Sequence, residues 1–294
     1  MRRVSQVIAL AAIVLGAAVD PARAQFTRRN FIQPLVAEDA IPANQLDLTP
    51  WGIEKKRGND FAMNFELDKK LSANSDLELS SPLNGFSPTR RKQITGFQDI
   101  EAIIKYAFYQ SDEHESMYAL AIDSIFPSGS ALPDAVHNYR AGPLFLWDKG
   151  MGDLPNSGWA AYLRPFALQG DCGLLPTVGN PQSAAVLFNN AFSYSLDYFA
   201  HSSNTFALPE PLTALVPFTE FNYIQVPLGG LRERSRPDLR LTPGVAYLKG
   251  AYQLTVGTQA ALNYTATRNG IAIVVVMMVV TLDQIFPQAA WTPF

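Results

Sequence analysis

Polar and apolar residues alternate along much of this chain. Phe61, Met63, Phe65 and Leu67 are separated by Ala62, Asn64 and Glu66. Between Gln98 and Phe108 one face holds Ile100, Ala102, Ile104, Tyr106 and Phe108, the other Asp99, Glu101, Ile103, Lys105 and Ala107. After Gln182, Val186, Phe188, Phe192, Tyr194, Leu196 and Tyr198 stand against Asn189, Ser193, Ser195 and Asp197. From Tyr252 to Leu262, Tyr252, Leu254, Val256 and Leu262 stand against Gln253, Thr255 and Gln259. A period of two predicts β-strands, whose successive side chains point to opposite faces. Phe97–Gln110 and Ala184–Phe199 outrun the ~5–6 residues of soluble strands and match the ~9–11 or more of tilted membrane strands. Aromatic ends such as Tyr106, Phe108 and Tyr109 suit interfacial girdles. A soluble secreted β-sandwich shares the alternation, but length and aromatic ends favour a membrane barrel.

Turn signals separate these runs: Pro82-Leu83-Asn84-Gly85, Pro127-Ser128-Gly129, Pro155-Asn156-Ser157-Gly158, Gly179-Asn180-Pro181, Gly229-Gly230 and Lys249-Gly250. They predict an all-β, transmembrane antiparallel β-barrel of about twelve strands, an even number that leaves both ends in the periplasm. Lys249-Gly250 becomes a tight periplasmic turn, and 83–95, 128–137, 174–182 and 228–237 become outward loops. Ile271–Leu282 is apolar on both faces, so its inner face should pack against something apolar, a plug or a narrow hydrophobic lumen. Twelve residues are too few to span a membrane as a helix, and Val and Ile favour a strand. Near it the chain closes on an aromatic tail, Trp291-Thr292-Pro293-Phe294.

At the other end, Met1-Arg2-Arg3, the apolar Val7–Val19 and Ala22-Arg23-Ala24 read as a signal peptide over 1–24, with Gln25 as the mature start. Residues 25–45 show no period and read as a periplasmic lead-in, with a small plug as the alternative; 46–294 is the barrel. Removing residues 1–24, with Arg2, Arg3, Arg23 and Asp20, takes the formal charge from −3 to −5. That balance argues against nucleic acid as a partner. The low charged fraction, 17%, with 11% aromatics, fits a barrel whose lipid face takes every second residue. Cys172 is the only cysteine, so no internal disulfide forms.

Gly142-Pro143-Leu144-Phe145-Leu146-Trp147-Asp148-Lys149-Gly150-Met151-Gly152-Asp153-Leu154-Pro155 resembles a hallmark of the outer-membrane proteins named for the MetA-type phenol-degradation pathway. Asp123-Ser124-Ile125-Phe126-Pro127-Ser128-Gly129, Leu163-Arg164-Pro165-Phe166, Pro243-Gly244-Val245-Ala246-Tyr247-Leu248 and Leu282-Asp283-Gln284-Ile285-Phe286-Pro287 resemble it too. The resemblance covers roughly 96–294. It implies a barrel of about a dozen strands and a role in uptake of small, aromatic or apolar molecules, and it brings no catalytic residues. Ile271–Leu282 is less polar than the final strand typical of that family.

No phosphate loop, dinucleotide fingerprint or Cys/His metal spacing is present; no cofactor or metal is expected, and no enzyme activity. Asp112-Glu113-His114-Glu115 reads as a solvated turn, with a cation site as the alternative. His201-Ser202-Ser203, with Asp197 or Glu210 to orient the histidine, is the weak signature of a lipid hydrolase. Arg90-Arg91-Lys92 and Arg232-Glu233-Arg234 with Arg236 read as loop charge, or as contacts to lipopolysaccharide. By parity the lumen receives Asn64, Glu66, Asp99, Glu101, Lys105, Gln169, Asp171, Asn189, Asp197, Glu220, Asn222, Arg240 and Gln253, a set of mixed sign that would either select ions or pair and fill the bore. The expectation is a passive outer-membrane channel for small solutes in a Gram-negative cell, surrounded by lipid and lipopolysaccharide and inserted by the barrel-assembly machinery. A plugged structural or adhesive barrel, and a lipid hydrolase, are the alternatives.

Overall fold

A computed structural model describes residues 29–55, 58–88, 94–129, 138–178, 180–203, 208–225 and 237–293. Twelve antiparallel walls form one closed sheet: β1 (Gln45–Lys55), β2 (Gly58–Lys70), β3 (Ser75–Pro88), β4 (Ile94–Phe97 and Ile100–Ser111), β5 (Ser116–Phe126), β6 (Arg140–Gly150), β7 (Phe166–Thr177), β8 (Asn180–Tyr194), β9 (Leu215–Gln225), β10 (Asp238–Lys249), β11 (Tyr252–Gly257 and Ala260–Ala261) and β12 (Ile271–Thr281). Each pairs with the next, and β12 pairs with β1 to close the ring. The breaks have local causes. Pro82 has no N–H to donate, and β4 is interrupted beside it at Gln98–Asp99. In β12 the register with β1 slips between Val274 and Ala272. This bulge sends Ile273 and Val274 both outward, while Ala272 above it and Val275, Met277 and Val279 below it face in.

The alternation sorts cleanly by side. Phe61, Phe65, Leu79, Leu120, Phe145, Phe188, Phe192, Leu254 and Val256 stand exposed on the outer face. That apolar band is what lipid contacts in a barrel. Half-buried Cys172 pairs across to Phe145 and Phe188 within it. No described helix is long and apolar enough to cross a membrane.

One end of the barrel, here the lower, carries the start of β1 and the end of β12. Its connections are 71–74, 112–115, 151–165, 195–214 and the tight Lys249-Gly250 turn, where Gly250 has φ 58°. Helices α1 (Leu196–Ser203) and α2 (Glu210–Thr213) lie here, and α3 (Tyr264–Asn269) lies at the upper end. Two expectations change. The strand expected to run to Phe199 ends at Tyr194, and β3 runs on to Pro88 through the turn expected at Pro82–Gly85. The signal peptide and the basic clusters at 90–92 and 232–236 lie outside the described residues.

Residues 29–44 are not a lead-in below the barrel; they lie inside it, which is the plug alternative. Twelve strands ~4.8 Å apart and tilted by ~40° enclose a backbone cylinder roughly 24 Å across, room for about one extended chain once wall side chains are counted. Ile32 (1% exposed), Ala37, Ala40 and Leu35 fill that room. Ile32 and Leu35 pack with Val216, Phe218, Ala246 and the inward side of β12, and Ala40 packs with Ile103, Met117, Leu144 and Leu146. The two-faced apolar character of β12 follows: lipid lies outside and the inserted segment inside.

Candidate functional site

An extended segment that makes no sheet brings buried N–H and C=O groups needing partners. Wall side chains from around the ring supply them. Gln253 on β11 accepts from the Gln33 N–H at 2.9 Å and donates to the Gln33 carbonyl at 2.7 Å. Gln169 on β7 donates to the Ile32 carbonyl at 2.9 Å. Glu220 on β9 accepts from the backbone N–H of Leu35, Val36 and Ala37. Asp171 on β7 accepts from Glu38, Asp148 on β6 from Ala40 and Asp76 on β3 from Ala43, at 2.8, 2.9 and 3.0 Å. The chain thus arcs around the bore from β11 back to β1. Asn189 holds both oxygens of Asp171 at 3.0 and 3.1 Å, and Asn222 donates to Asn189, extending a polar ladder across β7–β9.

A second device anchors the segment at the lower rim. Arg29 Nε donates to Glu115 Oε2 at 2.7 Å, Arg29 Nη1 donates to the Pro165 carbonyl at 2.9 Å, and the guanidinium lies 4.3 Å from the centre of the Tyr198 ring. Tyr198 Oη donates to Glu115 Oε1 at 2.9 Å and the Gly152 N–H donates to Oε2 at 3.1 Å. Glu115 is 2% exposed and adopts a left-handed φ of 44°, a conformation that a hairpin turn requires and few side chains favour. Glycine at 150 and 152 makes the pocket: a Cβ at either would lie 2.2 or 2.1 Å from a Glu115 oxygen. The Gly150-Met151-Gly152 stretch therefore shapes this anchor. The Asp112–Glu115 turn is not wholly solvated, because Glu115 leaves it for the interior.

Two cavities flank the segment. The upper, about 390 Å³, is lined by Leu35, Val36, Asp47, Trp51, Glu66 and Glu78 among others. The lower, about 430 Å³, is lined by Arg29, Phe31, Asn44, Lys70, Tyr252 and Gln253 among others. Gln33 borders both, so the Gln33–Gln253 pair sits in the partition.

The expected lumen set is placed as follows. Glu66, Asn64, Glu101 and Arg240 line the upper cavity; Arg240 is held bidentately by Asp238 at 2.8 and 2.9 Å. Lys105, Asp171 and Glu220 are buried against the inserted segment. Asp99 sits in the β4 break and accepts from the Gly129 N–H at 2.8 Å. Asp197 leaves the set: it stands on α1 at the lower rim, 59% exposed, because the strand ends before it. Its partner is His201, 3.2 Å away and 79% exposed, and the side chains of Ser202 and Ser203 lie outside the described residues. Parity reasoning missed Asp47, Asp68, Asp76 and Glu78. The signal for Asp47, Asp76 and Glu78 is the short alternation of Leu46-Asp47-Leu48-Thr49 and Asp76-Leu77-Glu78-Leu79, in stretches bordering the supposed lead-in and loop, and Asp68 continues the polar face of Phe61–Leu67.

No protein-family profile matches the chain, and no curated protein matches it by sequence. Among solved structures it is similar to the COG4313 outer membrane channel from Pseudomonas putida F1, at 11% identity over 85% of this chain and 99% of that one, with a TM-score of 0.49. It is also similar to the KdgM porin, at 10% identity over 80% and 98% with a TM-score of 0.44. The outer membrane phospholipase A from Escherichia coli follows at 10% identity over 82% and 94%, with a TM-score of 0.39. The closed antiparallel barrel itself rests on the strand pairing described above.

Proposed function

We propose that this protein is a bacterial outer-membrane channel for small solutes, shut at rest by its own residues 29–44. The observation that carries the reading is the partition: one segment divides the bore into two cavities and is held mainly by hydrogen bonds to wall side chains. Such bonds exchange with water at a modest net cost of about 0.5–1.5 kcal/mol each, more to charged groups, so the segment can shift without unfolding the barrel. The upper cavity sets Leu35, Val36, Trp51 and Met277 beside Asp47, Glu66 and Glu78. That lining suits small solutes with an aromatic or apolar face, as the resemblance to the MetA-type family also implies. The lower end faces the periplasm, lipid and lipopolysaccharide surround the barrel, and the barrel-assembly machinery inserts it.

Single-channel recording of the refolded protein in a planar bilayer tests this. Wild type should show rare, small steps. Arg29→Ala combined with Gln253→Ala, which loosens the anchor and the partition, should raise open time and step size. Silence from both, with folding verified by heat-modifiable gel mobility, would sink the channel reading in favour of a structural or adhesive barrel.

A further inference from the structure

On the wall formed by β1, β2 and β3, Asp47, Glu66, Asp68 and Glu78 gather without the backbone N–H partners that Asp76 and the acids elsewhere in the bore receive; the Asn64 amide donates to Glu66 at 3.3 Å. Glu66 and Asp68 share the inner face of β2, and Glu78 stands opposite Asp68 across the β2–β3 pair. One oxygen from each lies within 4.8 Å of the others. Two oxygens bound to one calcium-like ion at ~2.3–2.6 Å are at most ~5 Å apart, so this spacing admits a shared ion. A second observation points to a ligand. Asp47, directly opposite Glu66 in the β1–β2 pair, is 2% exposed, and neither of its oxygens has a hydrogen-bond partner. It lines the upper cavity together with Glu66 and Glu78. Asp68, equally buried, leaves Oδ1 without a partner. A buried ionised carboxylate needs a counter-charge. The neighbouring cations are engaged elsewhere: Lys105 lies 3.2 Å from Asp39 and 4.0 Å from Asp76, and Arg240 is bound to Asp238 and Gln259.

We propose that Glu66, Asp68 and Glu78, with Asp47 beside them, bind a hard divalent cation of the calcium type inside the barrel. An all-carboxylate set without His or Cys selects for hard, oxygen-seeking ions. Glu38 of the inserted segment borders the same cavity, so the ion lies between wall and segment and favours the closed arrangement. The proposal holds whether or not a solute crosses the barrel.

Calorimetric titration of calcium into the full-length, chelator-stripped barrel in detergent micelles tests it, with heat-modifiable mobility as the folding check. Saturable binding near one ion per barrel is expected. Affinity should fall by about tenfold or more in Glu66→Gln/Glu78→Gln and stay unchanged in Asp283→Asn at the lower rim. Should the double variant fail to fold, the near-isosteric Asp47→Asn carries the test, with weakened binding and a smaller calcium-induced rise in Tm than wild type. No saturable binding to wild type, or wild-type affinity in the folded variants, overturns the proposal.

Discussion

Two walls of the same bore treat their carboxylates in opposite ways. From β6 to β9, Asp148, Asp171 and Glu220 each receive backbone N–H groups of the inserted segment. On β1, Asp47 is as deeply buried yet neither of its oxygens has a partner, and Asp68 on β2 receives no backbone N–H from the segment. Burial therefore does not tell these acids apart; the company they keep does. The first group, like Asp76 on β3, holds the chain's own backbone; Asp47 holds none. A buried acceptor that is satisfied stabilises its partner segment, whereas one left unsatisfied weakens the fold until something binds.

The contrast can be broken most forcefully at the anchor. Glu115→Ala removes the acceptor of both Arg29 and Tyr198 and leaves Arg29 buried without its counter-ion. A loss of about 3 kcal/mol or more is expected in urea unfolding followed by tryptophan fluorescence, along with larger conductance steps. Wild-type values in both would show that the anchor does not hold the segment. Next comes the satisfied wall. Glu220→Gln puts an amide N–H₂ among three backbone donors and should cost roughly 2 kcal/mol in the same titration.

Asp47→Asn sharpens the comparison from the other side. In chelator it removes an unpaired buried charge, so stability should hold or rise by up to about 1 kcal/mol. A clear loss would mean that Asp47 has a structural partner after all. The smallest effect belongs to the exposed lower rim, at Asp153→Asn. Partial burial pushes the Asp153 carboxyl upward, but the hydrogen bond and charge of Lys149 outweigh it and hold the group below the usual range. A depressed folded pKa contributes stability above the unfolded value, and that contribution is lost as pH falls through the folded one. The variant's slight Tm deficit at neutral pH should therefore disappear in strong acid, once the Asp153 carboxyl is protonated in the folded state as well. A deficit that persisted there would trace to packing instead.

Much of the architecture was open to reading because strand alternation is local. Ile100–Phe108 and Val186–Tyr194 show their two faces within their own residues, and about twelve walls follow from counting such runs. Elements whose character depends on distant partners were harder. Residues 29–44 lack any period because their backbone bonds go to six different wall side chains, from Asp76 to Gln253. Asp197 carries the parity of the β8 strand, but Ser195 accepts a helical bond from the Phe199 N–H and its side chain caps the Tyr198 N–H, so the chain turns into α1.

By itself the sequence determined the class of structure: antiparallel strands with an apolar outer face, polar residues turned inward, and a last strand apolar on both sides. Those features follow from the fixed two-residue repeat of a strand, which any stretch carries in its own order of residues. Only the tertiary structure decided what fills the bore and which acids are satisfied. Closure of β12 on β1 brings Gln253, Glu220, Asp171, Asp148 and Asp76 around a single segment, and joins Arg29 to Glu115 across 86 positions of chain. No local pattern encodes such meetings, because they arise from the geometry of a closed ring rather than from the spacing of neighbours along the chain.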